Sequence, residues 1–341
     1  MKAARLHAYG AGRLRLDDVE EPTPTAPHDV VVRVGGAGLC RTDLHIAEGR
    51  LRDAVDVRLP YVLGHENAGW VHEVGPAVAS VAVGDAVILH PHATCGHCLA
   101  CRAGNDMHCA DAAFPGLSAD GGFAELVKTN ERALVRLPSG VEPREVAPLA
   151  DAGLAAIHAV KRAAGVLRPG SSALVIGAGG LGHVGVQCLK ALTAARVIAI
   201  DRSEAAVALA REIGTDEALV ADGGHVGAVR ELSGGGVEAV LDFVGEGSAI
   251  EDGLAALRSG GVYAVVGYGG RFDVAAVDLV ASELTILGNL VGTYTDLVEL
   301  LALAADGKVK VRTTDYPLDA VNDAIADLDA GRLQGRGVLV P

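Results

Sequence analysis

Residues 173–185 read ALVIGAGGLGHVG: four apolar residues break into glycines, and an apolar, helix-compatible stretch follows. Gly177, Gly179 and Gly182 stand in G-x-G-x-x-G spacing, directly after a strand-like run and at the opening of a helix. Glycine lets such a turn tighten and lets a pyrophosphate approach the backbone, while the helix N-terminus supplies N–H donors and a partial positive charge. In a chain with 45 glycines the spacing alone also fits a strand-to-helix turn that binds nothing. The next apolar run, RVIAI, decides between the two, because it ends at Asp201, 19 residues after Gly182. A carboxylate there accepts hydrogen bonds from ribose hydroxyls and repels a 2′-phosphate, which favours NAD over NADP; the neighbouring Arg202 tempers that preference.

Outward from this turn the chain alternates apolar strands with Ala-rich helical segments. Strands are expected at 173–176, 196–200, 217–220, 238–243, 262–266 and 284–290, with helices in most of the gaps, which predicts a doubly wound parallel sheet. Up to about residue 147 the texture differs. Short β-like runs such as DVVVRVGG, AGWVHEVG and GDAVILH are separated by Gly, Pro and Asp turns, and a β-rich domain is expected there. The C-terminal GRGVLVP reads as a strand that returns to this first domain.

Composition agrees with an α/β protein of two domains. The 341 residues are 50% hydrophobic but only 3% aromatic, so the core is packed with Ala, Val, Leu and Gly. With 29 Lys and Arg against 43 Asp and Glu the formal charge is −14, and no basic run is present. Nucleic acid and anionic membranes are poor partners for such a chain. No signal-peptide core and no apolar run of membrane-spanning length is found, so a cytoplasmic protein is expected. Its six cysteines then read as metal ligands or reactive thiols.

Four of them lie in CGHCLACRAGNDMHC. Cys95, Cys98, Cys101 and Cys109 suit one tetrahedral zinc with every position filled, a staple for a loop that has no core of its own; an iron–sulfur cluster is the competing reading. His97 and His108, inside the loop, read as bystanders. Cys188 falls in the helix after the glycine turn and reads as a buried small hydrophobe. Cys40 is different. It opens CRTDLH, and LGHENAG some 25 residues later offers His65 and Glu66 beside glycines. A catalytic zinc takes three protein ligands and keeps one position open, and Cys40 and His65 supply two.

The order and spacing of CRTDLH, GHENAG, the four-cysteine loop, GDAV, GAGGLG with Asp201, and LDFVG resemble the zinc-dependent medium-chain alcohol dehydrogenases over the whole chain. The resemblance implies a GroES-like catalytic domain over 1–148 and 292–341, carrying a structural-zinc loop at 95–109, and a Rossmann domain over 149–291. It also implies two zinc ions per chain and hydride transfer between NAD and a primary or secondary alcohol, or an aldehyde or ketone in reverse. The family's usual third catalytic-zinc ligand is Cys; here the matching residue is Asp151, as in some bacterial members. Cys⁻ and Asp⁻ neutralise Zn²⁺ as two thiolates would. An N-cap for the helix AGLAAIHAVKRAA is the other role open to Asp151.

By the same resemblance Thr42 and His45 form a hydroxyl-to-imidazole proton relay, Asp43 orients His65, and Glu66 stands nearby or ligates transiently. Arg41, Gly177, Gly179, Gly180, Leu181, Gly182, Asp201, Arg202, Val244 and Gly267 are the cofactor residues it carries over. Tyr61, Phe114, Leu117 and Tyr294 are candidates for the substrate pocket. A homo-oligomer is expected, tetramer before dimer, through the edge strand LTILGNLVG. A polyol or amino-alcohol dehydrogenase with the same zinc chemistry is the alternative enzyme. A catalytically silent dinucleotide-binding scaffold is the alternative from another class, and it predicts a broken ligand set.

Overall fold

The computed structural model describes residues 1–10, 12–52 and 58–341. The chain forms two compact units, one of residues 1–152, 293–305 and 311–341, the other of 153–292 and 306–310. No helix among the described residues is long and apolar enough to cross a membrane.

The first unit is built on the strand Asp29–Leu39, whose DVVVRV run places three consecutive valines in the core. Glu66–Val74 and Arg336–Val340 pair with it antiparallel, and the registers matter for everything that follows: Gly38 lies opposite Glu66, and Leu39 opposite Gly337. Cys40, His65, Glu66 and Arg336 are thereby brought to one end of the sheet, although 270 residues separate Glu66 from Arg336 in sequence. Leu6, Leu39, Ile46, Leu63 and Phe123 fill the core beneath. Each such side chain contributes about 1.5–3 kcal/mol on burial. The short turn Ala147–Ala150 packs against the same three strands and delivers Asp151 to their end.

The second unit is a six-stranded parallel sheet. Its order is Glu217–Val220, Arg196–Asp201, Ser172–Ile176, Val237–Asp242, Leu257–Val265 and Thr285–Gly288. Every residue of the central strand Ser172–Ile176 is buried, as expected of a strand covered on both faces. The last strand is shorter than the seven-residue run LTILGNL anticipates. The Asn289 side chain donates to the Ala155 carbonyl at 3.1 Å and Val291 takes φ +46°, so the chain turns off the sheet edge.

Candidate active site

The loop between Asp29–Leu39 and the helix Arg41–Ala47 is where the site begins. Cys40 caps that helix, and its own N–H donates to Asp43 Oδ2 at 2.8 Å. The other oxygen of Asp43 faces His65 Nδ1 at 3.3 Å. One fully buried carboxylate therefore holds the Cys40 backbone and stands against the His65 ring. On the far side of the ring, His65 Nε2 lies 3.4 Å from Asp151 Oδ2. Donor atoms 2.0–2.2 Å from a tetrahedral ion stand about 3.4 Å apart, so the spacing matches that of two ligands sharing zinc. Cys40, His65, Glu66 and Asp151 each offer a donor atom within 4.8 Å of the others.

Of these four, Glu66 is already engaged. The Arg336 guanidinium grips its carboxylate, Nε standing 3.3 Å from Oε2 and a second nitrogen on Oε1, and the Ala152 N–H donates to Oε1 at 3.2 Å. The first N–H of the helix Ala152–Ala163 is thus met by Glu66. Charges within this pocket set one another. Burial opposes ionisation of Cys40, yet Arg336 and His65 pull the thiol below its usual value. Burial likewise opposes charge on His65, and Asp43 with Asp151 outweighs it, holding the imidazole well above its usual value. Asp151 is lowered despite burial, chiefly by the hydrogen bond from His65. Glu66 is raised because burial outweighs the pull of Arg336. A pocket that favours thiolate at Cys40 and carboxylate at Asp151, beside an imidazole that would bind an ion in its neutral form in place of the proton that these anions hold there, has the chemistry of a zinc cradle.

Cys95, Cys98, Cys101 and Cys109 also converge, all four sulfurs lying within 4.8 Å of one another. Cys98 and Cys101 sulfurs are 3.5 Å apart and Cys95 and Cys101 sulfurs 4.0 Å, bracketing the edge of about 3.8 Å that Zn–S bonds of 2.3 Å require. Backbone N–H groups of Cys95 and Cys98 point at the sulfurs of Cys109 and Cys95. Hydrogen bonds from the backbone of His97 and Cys98 bring Cys95 down to about 6. His97 turns to the Cys95 carbonyl, 2.9 Å away.

In the second unit Gly177 takes φ +83°, and a Cβ on Gly182 would fall 1.7 Å from the Gly177 carbonyl oxygen, so the turn and the helix start demand glycine. Gly179, Gly180 and Leu181 form a half-buried rim ahead of the helix Gly182–Leu192. A cavity of about 320 Å³ opens beside Gly177, with Asp201 and Arg202 on one wall and Val244 on another. Asp201 accepts from the N–H groups of Ala178 and Ser203, both at 2.8 Å, which ties it to the glycine turn. Gly267 donates its N–H to the Asp242 carbonyl at 2.9 Å, beside the Val244 loop.

Arg41, exposed, opens the helix Arg41–Ala47, and Thr42 and His45, both half-buried, share one face of it. Phe114 stands edge-on to His65 at 6.0 Å, and Tyr61 is buried near Asp43 and His65. Leu117 packs instead against the core of the first unit. Tyr294 tilts over His90 at 6.3 Å and donates its hydroxyl to the Leu134 carbonyl. Two neighbours of the site escape the sequence reading. Arg336 sits in GRGVLVP without a motif, and its pairing is legible only from strand register. His92 stacks 4.6 Å from Phe114, and burial with its neighbour His90 lowers it to about 4, so it is a neutral imidazole. The HPH run at 90–92 is the only signal that points to it.

A thiol–imidazole–carboxylate cradle in one unit and a dinucleotide-type turn in the other define the class, the metal-dependent dehydrogenases. Residues 26–139 match the alcohol dehydrogenase GroES-like domain, and residues 180–306 the zinc-binding dehydrogenase domain. A crystal structure of the alcohol dehydrogenase of Aeropyrum pernix is similar at 45% identity with a TM-score of 0.96, covering 100% of both chains. Two proteins of Saccharolobus solfataricus are also similar: an NAD-dependent alcohol dehydrogenase, 34% identical over 100% of both chains, and a D-arabinose 1-dehydrogenase (NADP(+)), 36% identical over 100% of this chain and 97% of its own. The chain belongs to the zinc-binding alcohol dehydrogenase family.

Proposed function

We propose that this protein is a zinc-dependent alcohol dehydrogenase that uses NAD, with Cys40, His65 and Asp151 as the ligands of the catalytic zinc and a second zinc held by Cys95, Cys98, Cys101 and Cys109. The observation that carries the reading is the convergence of Cys40, His65 and Asp151, with donor spacing suited to one tetrahedral ion. Zinc supplies Lewis acidity, which for bound water lowers the pKa from about 15.7 to about 7 and eases loss of an alcohol's proton in the same way. NAD supplies the hydride acceptor.

The remaining work falls to the chain. Asp43 holds His65 in the tautomer that leaves Nε2 free to coordinate, a role supported by the 3.3 Å approach to Nδ1. The Thr42 hydroxyl takes the substrate proton as it passes its own on toward His45, on the same helix face, which carries it outward. Arg336 keeps Glu66 occupied, so Glu66 neither competes for the ion nor adds a third negative charge. Phe114 and His92 form a wall beside His65. At the nucleotide, Asp201 receives the ribose hydroxyls and disfavours a 2′-phosphate, Arg202 flanks it, and Gly177, Gly179, Gly180, Leu181, Gly182, Val244 and Gly267 shape the approach, with Arg41 meeting the pyrophosphate.

A polyol or sugar alcohol is the second reading for the substrate, favoured by the buried imidazoles of His90 and His92 in that region and by the similarity to a D-arabinose dehydrogenase. The protein acts as a homo-oligomer whose sheets pair along Thr285–Gly288, which light scattering tests: a concentration-independent monomer overturns it. Rates with NAD and NADP across matched alkanols, diols and ketones test the function. Turnover of none of them would reject it.

A further inference from the structure

The cavity beside Gly177 owes much of its wall to one loop, residues 243–248, which joins the strand Val237–Asp242 to the helix Ala249–Ala256 and contributes Val244, Glu246, Gly247 and Ser248. Such a loop, rich in glycine, has no stiffness of its own. Its first end is held by Asp242, fully buried, whose Oδ1 accepts from the N–H groups of Val244 and Gly245, each at 2.9 Å. The second oxygen of Asp242 accepts from the Tyr263 hydroxyl at 2.8 Å, and that same hydroxyl lies 3.3 Å from the carbonyl of Ala249, where the loop ends. The one phenolic proton is thus shared between acceptors at the two ends of the loop, chiefly with Asp242, and the oxygen stands against both.

The ring that carries it has no freedom to move. Tyr263 is fully buried, Phe272 stands edge-on to it at 5.2 Å, and a Cβ on Gly253 would fall 2.6 Å from its Cε2 and 2.8 Å from its hydroxyl. Burial, with Asp242 beside it, keeps the phenol far above its usual value, so it remains a donor at any working pH. The Val244 side chain set by this clamp sits where a Cβ on Gly177 would be, 2.6 Å from Cγ2. Loop position and glycine turn are thus in direct contact.

We propose that Tyr263 is a positioning residue for the dinucleotide: through Asp242 and Ala249 its hydroxyl sets the 243–248 loop, and with it the width of the nucleotide cavity opposite Asp201. The inference rests on the cofactor reading above. In the zinc-loaded full-length enzyme, Tyr263→Phe keeps the ring and its packing and removes only the clamp. The expected result is that dissociation constants for NADH and for AMP rise together, by about fivefold or more, the equivalent of one typical hydrogen bond. The KM for alcohol and the zinc content stay unchanged. Asp242→Asn is expected to bind nearly as the unmodified enzyme does, because its amide oxygen still accepts from Val244 and Gly245 and its nitrogen donates to Tyr263. If Tyr263→Phe does not accumulate as folded protein, Gly253→Ala, whose methyl presses on the ring edge and the hydroxyl, is expected to give the same joint loss for NADH and AMP. A lower melting temperature with unchanged NADH and AMP affinity would make the hydroxyl merely structural and overturn the proposal. Failure of the unmodified enzyme to bind either ligand would overturn the cofactor reading as well.

Discussion

Replacing Asp151 by Asn separates the two roles open to that residue. As a zinc ligand, the carboxylate together with the Cys40 thiolate neutralises the ion; the amide leaves one uncompensated positive charge beside His65, whose Nε2 is only 3.4 Å from the substituted atom. Substitutions one shell further from a metal commonly cost 10–100-fold in affinity. Loss of a ligand is expected to reach at least the upper end, about 100-fold, or about 2.7 kcal/mol at 1.36 per decade. As a helix cap, by contrast, Asn and Asp rank together, so the metal-stripped variant is expected to melt within a few degrees of the unmodified protein. The assay is dialysis against graded chelator, with zinc measured per chain alongside turnover and circular dichroism. Retained zinc with near-normal turnover would refute the reasoning, and Glu66, which shares the donor cluster, would become the third ligand to examine.

Three further outcomes are expected. Asp201→Ala should shift the ratio of kcat/KM for NADP over NAD upward by about tenfold or more, while orphaning the Ala178 N–H at a cost of about 1–3 kcal/mol in stability; equal use of NADP by the unmodified enzyme would contradict it. Arg336→Met should destabilise by about 3–5 kcal/mol, because Glu66 is left buried without its cation, and adding Glu66→Gln should restore most of that loss in denaturant melts; no restoration would mean that the pair is not the cause. Glu131 is held at about 2 against an ordinary 4.5, since N–H groups of Ala79 and Ser80 and the His28 ring outweigh its burial. A depressed carboxylate stabilises fully above 4.5 and loses that contribution as pH falls through about 2. The stability difference between unmodified protein and Glu131→Gln should therefore shrink as pH falls from 4.5 towards 2, and parallel profiles across that window would disprove the assignment.

The parts of the structure legible in sequence are those whose cause is local. The glycine turn at 177–182, the run to Asp201 and the strands around them follow from spacing and from buried-strand texture, and the parallel sheet follows from their alternation with helices. The four thiols within fifteen residues identify themselves in the same way. Arg336 does not, because its partner Glu66 lies 270 residues away and only the pairing of Leu39 with Gly337 brings the two together. Tyr263 is equally silent: in VYAVV it reads as one more buried strand residue, and its contact with Asp242 depends on the parallel register that sets Val240 against it. The edge strand is shorter than its texture implies, because apolar residues continue through Leu290 whereas Asn289 and Val291 turn the backbone away.

The most direct test returns zinc stepwise to chelator-treated protein while alcohol-dependent reduction of NAD is followed. The account predicts that two zinc ions bind per chain, that the four-cysteine site fills without restoring turnover, and that turnover then rises in proportion to the second ion. Full alcohol-dependent reduction of NAD before that second ion binds, or saturation at one ion per chain, would contradict it.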